Sequence, residues 1–336
     1  MKKRFITATV LILTLVPLLF FSAKSIVVKR IFEVLLMFIA LGAEIELLNM
    51  YDKSKKIHLW LKILTIIMTF VLYFSIVSWF SYYFSYNIFS EEHHMPLIGV
   101  LMKNMHLAEL VNPFFGLFII FIVYMSILVI YSEILAKKNK DSENPVDFKG
   151  SDISRLFLSI LYVSLCVSAF TILFSFGVRF VVYLLIITVF TDIFALVFGM
   201  KFGKHKMAPT VSPKKTWEGA IGGTLTAVVV GTLFLMFYHS FSGIFHETKI
   251  EFFDGIFGFS DFGTFGKIVF SVILTTFLSV CSQIGDLVAS KLKRDYGIKD
   301  YSNIFPGHGG ILDRFDSAFF ASLIFLLILF FAIVYF

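Results

Sequence analysis

Cysteine is almost absent from this chain: two residues in 336, Cys166 and Cys281, each inside an apolar stretch. That excludes a disulfide framework and a cysteine-based metal site. Charge is scarce too. Asp, Glu, Lys and Arg make up 15% of the residues against 58% hydrophobic, whereas a soluble domain is about a quarter charged. The bulk of the chain must therefore face lipid or another apolar helix. No Gly-x-x-x-x-Gly-Lys-Ser/Thr run occurs, which excludes a standard P-loop nucleotide site. No internal repeat is visible, so an inverted-repeat transporter gains no support.

What is abundant is long apolar runs. A spanning helix needs about 20 mostly apolar residues to cross about 30 Å of hydrocarbon. Nine segments qualify, near 5–22, 31–50, 63–85, 113–135, 156–176, 180–199, 219–238, 267–290 and 317–336. All must be helical, because an unpaired backbone is too costly inside lipid. The first follows Lys2-Lys3-Arg4 and resembles a signal peptide, but its apolar run is long and no small-x-small site follows it, so it reads as a retained helix. The expected fold is an all-α integral membrane protein, a polytopic bundle of about nine transmembrane helices.

The net charge of +6 points to membrane topology and not to nucleic acid. With the N-terminus cytoplasmic and the C-terminus outside, the inside segments 1–4, 51–62, 136–155, 200–218 and 291–316 hold 22 of the 29 basic residues. The short loop with Lys24, Lys29 and Arg30 is the one dissent. The outside segments 86–112 and 239–266 are rich in aromatic residues, as in Phe252-Phe253-Asp254-Gly255, and read as interfacial. Segment 136–150 is polar and charged. It divides the chain into residues 1–150, four helices with little polar content, and 151–336, five helices that hold every candidate site.

The chemistry concentrates between Cys281 and Asp316. Asp286 falls in an otherwise apolar helix, where an ionised carboxylate costs about 2.5–3.5 kcal/mol on insertion scales. Gln283 and Ser290 stand three and four residues away, on the same face. Asp313 and Asp316 share a face at the start of the last helix. Three converging carboxylates suit a hard cation such as Mg²⁺ better than zinc, although two acids at a helix start also serve as caps. Pro306-Gly307-His308-Gly309-Gly310 precedes them, a turn whose backbone N–H groups suit phosphate. Lys293, Arg294, Lys299 and Arg314 supply positive charge there, which positive-inside topology alone also explains.

A second cluster runs from Asp192, another acid in an apolar span, into Ser212-Pro-Lys-Lys-Thr216-Trp-Glu-Gly219. Ser212, Lys214, Lys215 and Thr216 lie just before a helix N-terminus, a natural anion site. The same residues read as a capped helix start.

Together these residues resemble the integral-membrane phosphatidate cytidylyltransferases, also called CDP-diacylglycerol synthases. That family's signature has the form Ser-x-apolar-Lys-Arg-x4-Lys-Asp-x-small-x2-apolar-Pro-x-His-Gly-Gly-apolar-x-Asp-Arg-apolar-Asp. It is filled without a gap from Ser290 through Lys293, Arg294, Lys299, Asp300, Pro306, His308, Gly309, Gly310, Asp313 and Arg314 to Asp316. The segments around Asp192 and 212–219 resemble the family's polar loop. The specific likeness covers about 190–317; the first 150 residues match only in being hydrophobic helices.

The resemblance implies that the phosphate of phosphatidic acid attacks the α-phosphorus of CTP, releasing pyrophosphate. It implies Mg²⁺, with K⁺ beside it in some members. By the same resemblance Asp286, Asp313 and Asp316 would hold the metal, and Lys293, Arg294, Lys299 and Arg314 would be further catalytic contacts. Ser212, Lys214, Lys215 and Thr216 would bind phosphates, with Asp192, Gln283 and His308 as further participants in substrate binding. Expected partners are CTP, phosphatidic acid and membrane lipids, with no nucleic acid; a homodimer is compatible with the sequence. The expected location is the cell (cytoplasmic) membrane, with several passes. Two alternatives stand beside this reading: a cytidylyltransferase for a different lipid phosphate, and a transporter whose buried acids bind a translocated cation.

Overall fold

The structure is a computed structural model that describes residues 14, 16–22, 24–87, 113–139, 148–245, 263–305 and 309–335. It is nearly all helical. The helices are α1 (Ile26–Ser54), α2 (Leu59–Asn87), α3 (Pro113–Asn139), α4 (Gly150–Phe176), α5 (Val178–Phe202), α6 (Trp217–Phe245), α7 (Thr264–Asp295) and α8 (Leu312–Tyr335). Between α5 and α6 the chain forms two short strands, β1 (Lys206–Ala208) and β2 (Ser212–Thr216), paired antiparallel. This hairpin is the departure from the all-helical expectation. Pro209-Thr210 make its turn, and its exposed lysines keep it from continuing as an apolar helix.

Among the described residues, six helices are long and apolar enough to cross a membrane: Leu59–Phe80, Gly150–Phe176, Val178–Phe202, Trp217–Phe237, Thr264–Asp295 and Leu312–Ala332. The chain is a multi-pass membrane protein. The expected span at 31–50 lies in α1, a 29-residue helix that is not among those six. The span at 113–135 falls in α3, with a shorter apolar stretch at Phe121–Leu135. The span at 5–22 lies largely outside the described residues, as does most of the connecting segments at 86–112 and 239–266.

Two compact units make up the chain. One comprises Leu36–Ser168, the other Met1–Leu35 with Ala169–Phe336. In the Leu36–Ser168 unit, polar groups within the helices answer one another. The Ser159 hydroxyl donates to Glu44 Oε1 at 2.8 Å, and Thr65 and Tyr124 share a hydrogen bond at 3.1 Å. Lys55 pairs with Asp152 at the start of α4.

In the other unit, α5 and α6 approach closely because small residues line their seam. A Cβ on Gly219 would lie 2.5 Å from the Ala195 carbonyl oxygen, and one on Gly223 2.5 Å from that of Thr191. Neither distance admits a side chain. A polar ladder then ties α7 to this pair. Thr191 and Ser279 hydroxyls meet at 2.7 Å, Ser279 donates to Thr224 at 3.1 Å, and Gln283 Nε2 donates to Thr224 Oγ1 at 2.9 Å. Such bonds satisfy hydroxyls that lipid could not. At the end of α7, Gly297 takes φ +64, its N–H bonds the Arg294 carbonyl, and that of Ile298 bonds Lys293. These two bonds are a Schellman cap, which turns the chain sharply toward α8.

Candidate active site

A cavity of about 370 Å³ opens at one end of this unit, between α5, the hairpin, α6, α7 and α8. Asp192 lies ten residues before the end of α5 and Asp286 nine before the end of α7. At about 1.5 Å per residue, both acids sit about 14–15 Å below those helix ends. Five carboxylates line the cavity (Asp192, Asp286, Asp300, Asp313 and Asp316), with four cations, Lys214, Lys215, Lys293 and Arg314. A pure anion site or a pure cation site would not mix the signs so evenly.

The pairings differ in kind. Lys293 is 8% exposed; its ammonium donates to Asp313 Oδ1 at 2.7 Å, stands 3.9 Å from Asp316 Oδ2, and lies over the Tyr301 ring. Asp313 Oδ2 accepts from the backbone N–H groups of Tyr301 and Gly310, each at 2.8 Å. Both oxygens of Asp313 are thus engaged in closing the loop between α7 and α8. Gly309 makes this possible. It has φ +83, and a Cβ there would lie 2.6 Å from Asp313 Oδ2.

Asp286 is held more loosely. Lys215 Nζ lies 2.6 Å from its Oδ2, and the Ser290 hydroxyl reaches Oδ1 at 3.3 Å. Asp286 is close enough to both Asp192 and Asp316 to repel their charges. Asp192 Oδ2 accepts from Ser317 at 3.2 Å, and Asp316 Oδ1 accepts from the Ser317 N–H at 2.8 Å. Among the described residues, no three His, Cys, Asp or Glu side chains are grouped tightly enough to hold a metal ion by themselves. Mg²⁺, however, is usually bound through one or two carboxylates and completed by water and substrate phosphates. Asp286 and Asp316, facing one cavity, fit that kind of site.

The hairpin that carries Lys214 and Lys215 is tethered at both ends. At its base, Glu218 accepts from the N–H groups of Lys204 and His205, and its Oε1 meets His205 Nδ1 at 2.6 Å. At its tip, Arg294 Nε donates to the Val211 carbonyl at 3.3 Å, while Nη1 donates to that of Ile298 at 2.9 Å. Thr216 is buried, and its hydroxyl caps α6 by accepting from the Gly219 N–H at 3.2 Å.

Of the residues that the sequence singled out, Asp192, Lys214, Lys215, Thr216, Gln283, Asp286, Lys293, Asp313, Arg314 and Asp316 line the cavity. Ser212, Arg294 and Lys299 do not line it, and His308 lies outside the described residues. Sequence reasoning passed over Asp300, which lines the cavity, and Ser317 and Glu218, which orient others. Asp300 carried a signal, since it follows Lys299 inside the signature. Ser317 carried none.

The profile of the cytidylyltransferase family matches residues 2–332. A phosphatidate cytidylyltransferase of Bacillus subtilis (strain 168) is 34% identical over 242 residues, covering 70% of this chain and 78% of that protein. One of Staphylococcus haemolyticus (strain JCSC1435) is 32% identical over 199 residues, 59% of this chain and 64% of that protein. Another, of Staphylococcus aureus (strain COL), is 33% identical over the same length. A family match across nearly the whole chain, with a mixed acid-and-lysine cavity at its polar end, makes this protein a member of the cytidylyltransferase family and a nucleotidyltransferase.

Proposed function

We propose that this enzyme is a CTP:phosphatidate cytidylyltransferase of the cell membrane. A phosphate oxygen of phosphatidic acid forms a bond to the α-phosphorus of CTP as the bond to the bridging oxygen breaks. The products are CDP-diacylglycerol and pyrophosphate, and the departing oxygen keeps the electron pair. The observation that carries this reading is the convergence of Asp286, Asp316, Lys215 and Lys293 on one cavity from three separate elements.

Both substrates are anions that repel, so catalysis is chiefly a matter of neutralising charge and aligning the reacting atoms. Asp286 and Asp316 would hold Mg²⁺, which when bound screens charge on the phosphates as a Lewis acid. Asp313 would take part in that set only by giving up its bond to Lys293; as placed, it fixes the loop from Tyr301 to Gly310. Lys215, Lys214 and Arg314 would face the phosphates, with Lys293 behind them. Arg294 would act at a distance by fixing the hairpin tip. The lipid phosphate carries negative charge near neutrality, so no general base is required of the protein. Nine spans with the N-terminus inside would open the cavity to the cytoplasm, so that CTP arrives from water while the acyl chains stay in lipid.

Incubating the purified protein with labelled CTP, phosphatidate and Mg²⁺ tests the reading. CDP-diacylglycerol and pyrophosphate should appear in equal amounts. CTP left intact, or label on a different lipid phosphate in preference, would overturn it.

A further inference from the structure

Two of the cavity's three lysines, Lys293 and Lys215, are bound differently, and the difference has a consequence for how ligands enter. Lys293 is 8% exposed, hydrogen-bonded to Asp313 and stacked over Tyr301. Its ammonium has little freedom. Lys215 is the opposite case. Its ammonium lies 2.6 Å from Asp286 Oδ2, as close as Lys293 lies to Asp313, but it meets no further hydrogen-bond partner among the described residues. The contact is charge on charge, at side chains 25% and 28% exposed. The backbone beneath Lys215 is pinned by Glu218 and Arg294, so exchange at this position means moving a long side chain and not the hairpin.

Among the described residues Asp286 has one ion-pair partner, Lys215, and two like charges, Asp192 and Asp316, that repel it. Whatever removes Lys215 takes from Asp286 and Asp192 the cation they share, and leaves Asp316 with Lys293 at 3.9 Å. A divalent cation is the ligand that such a set attracts most.

We propose that Lys215 is a built-in competitor of the divalent cation at Asp286, so that metal and nucleotide phosphate enter the cavity as a cooperative pair. A phosphate that draws Lys215 away frees Asp286 for the metal. By linkage, the metal at Asp286 frees Lys215 for the phosphate, with the same coupling free energy in both directions. The inference rests on the reading of this cavity as a divalent-cation and nucleotide site. It adds that the lysine opposes metal binding until a phosphate is present, where a simple phosphate contact would leave metal affinity untouched.

The test is Mn²⁺ binding to the full-length, detergent-solubilised protein without nucleotide, read from the electron paramagnetic resonance signal of free Mn²⁺. Lys215→Met should bind Mn²⁺ on the order of tenfold more tightly than wild type, within the usual range of such couplings. Lys215→Arg, which keeps the charge, should bind like wild type, as should Lys214→Met on the exposed neighbour. The melting temperature of metal-free Lys215→Met should fall and recover with Mn²⁺, which shows that the variant folds. Equal or weaker Mn²⁺ affinity in Lys215→Met overturns the competition while leaving the metal site standing. Binding that Asp286→Asn does not weaken overturns the metal site itself, and the competition with it.

Discussion

Buried charge occurs in both compact units, but it is answered in two different ways. In Leu36–Ser168, Glu44 is fully buried and bonded to Ser159, and Asp152 pairs with Lys55. In the other unit, Asp286, Asp313 and Asp316 share two lysines in overlapping pairs around a cavity. An acid inside a membrane helix is therefore no mark of chemistry by itself. What separates the two cases is convergence: several elements deliver charges of both signs to one space that a ligand can enter.

The largest effect that sharpens this comparison is expected at Asp286. Asp286→Ala should lower turnover by at least about 100-fold, the usual loss when a group stabilising charge in the transition state is removed. Activity assays on protein that still inserts and elutes as folded check this, and near-normal turnover at saturating Mg²⁺ would break the contrast. Gly309→Ala should come next. The methyl group would meet Asp313 Oδ2 at 2.6 Å, at a φ of +83, a backbone strain of about 1–3 kcal/mol. A loss of turnover and a lower melting temperature are expected together, and neither should follow from Gly150→Ala, where a Cβ meets nothing within 4 Å.

Arg294→Ala should have a smaller effect, and of a different kind. Releasing Val211 loosens the hairpin tip, so KM for CTP should rise several-fold with a lesser change in kcat. An equal loss in both would assign Arg294 to the reacting atoms instead. The smallest effect is expected at Glu44→Gln, which keeps shape and one acceptor beside Ser159. Activity within about twofold of wild type, measured alongside the melting temperature, fits a purely internal role. A large loss of turnover with an unchanged melting temperature would erase the distinction between the units.

Much of this was legible in the sequence because membrane physics leaves few choices. Apolar runs of spanning length must be helices, and the runs at 180–199 and 267–290 became α5 and α7 with longer ends. The run at 31–50 likewise became part of a helix longer at both ends, α1. The hairpin has no signal in the sequence, since five residues with Pro and two Lys give no strand period. Asp286 stood out because it interrupts an apolar helix, and Lys215 because it precedes one. Their meeting was not readable, because it depends on how β2 folds back beneath α7. Asp313 shows the limit most clearly. Its place in the signature suggests a metal ligand, and its bonds to Tyr301, Gly310 and Lys293 show that it also shapes the loop. Only the three-dimensional path of 296–311 reveals those partners.

The claim beneath all of this is that cytidylyl transfer takes place in the cavity where Asp286 meets Lys215. Its most direct test is an experimental structure of the protein with a non-hydrolysable CTP analogue and Mn²⁺, with the metal located by anomalous scattering. The account predicts Mn²⁺ bonded to Asp286 and Asp316, and nucleotide phosphates against Lys215. A nucleotide bound elsewhere, with the Lys215–Asp286 pair still closed, would contradict it.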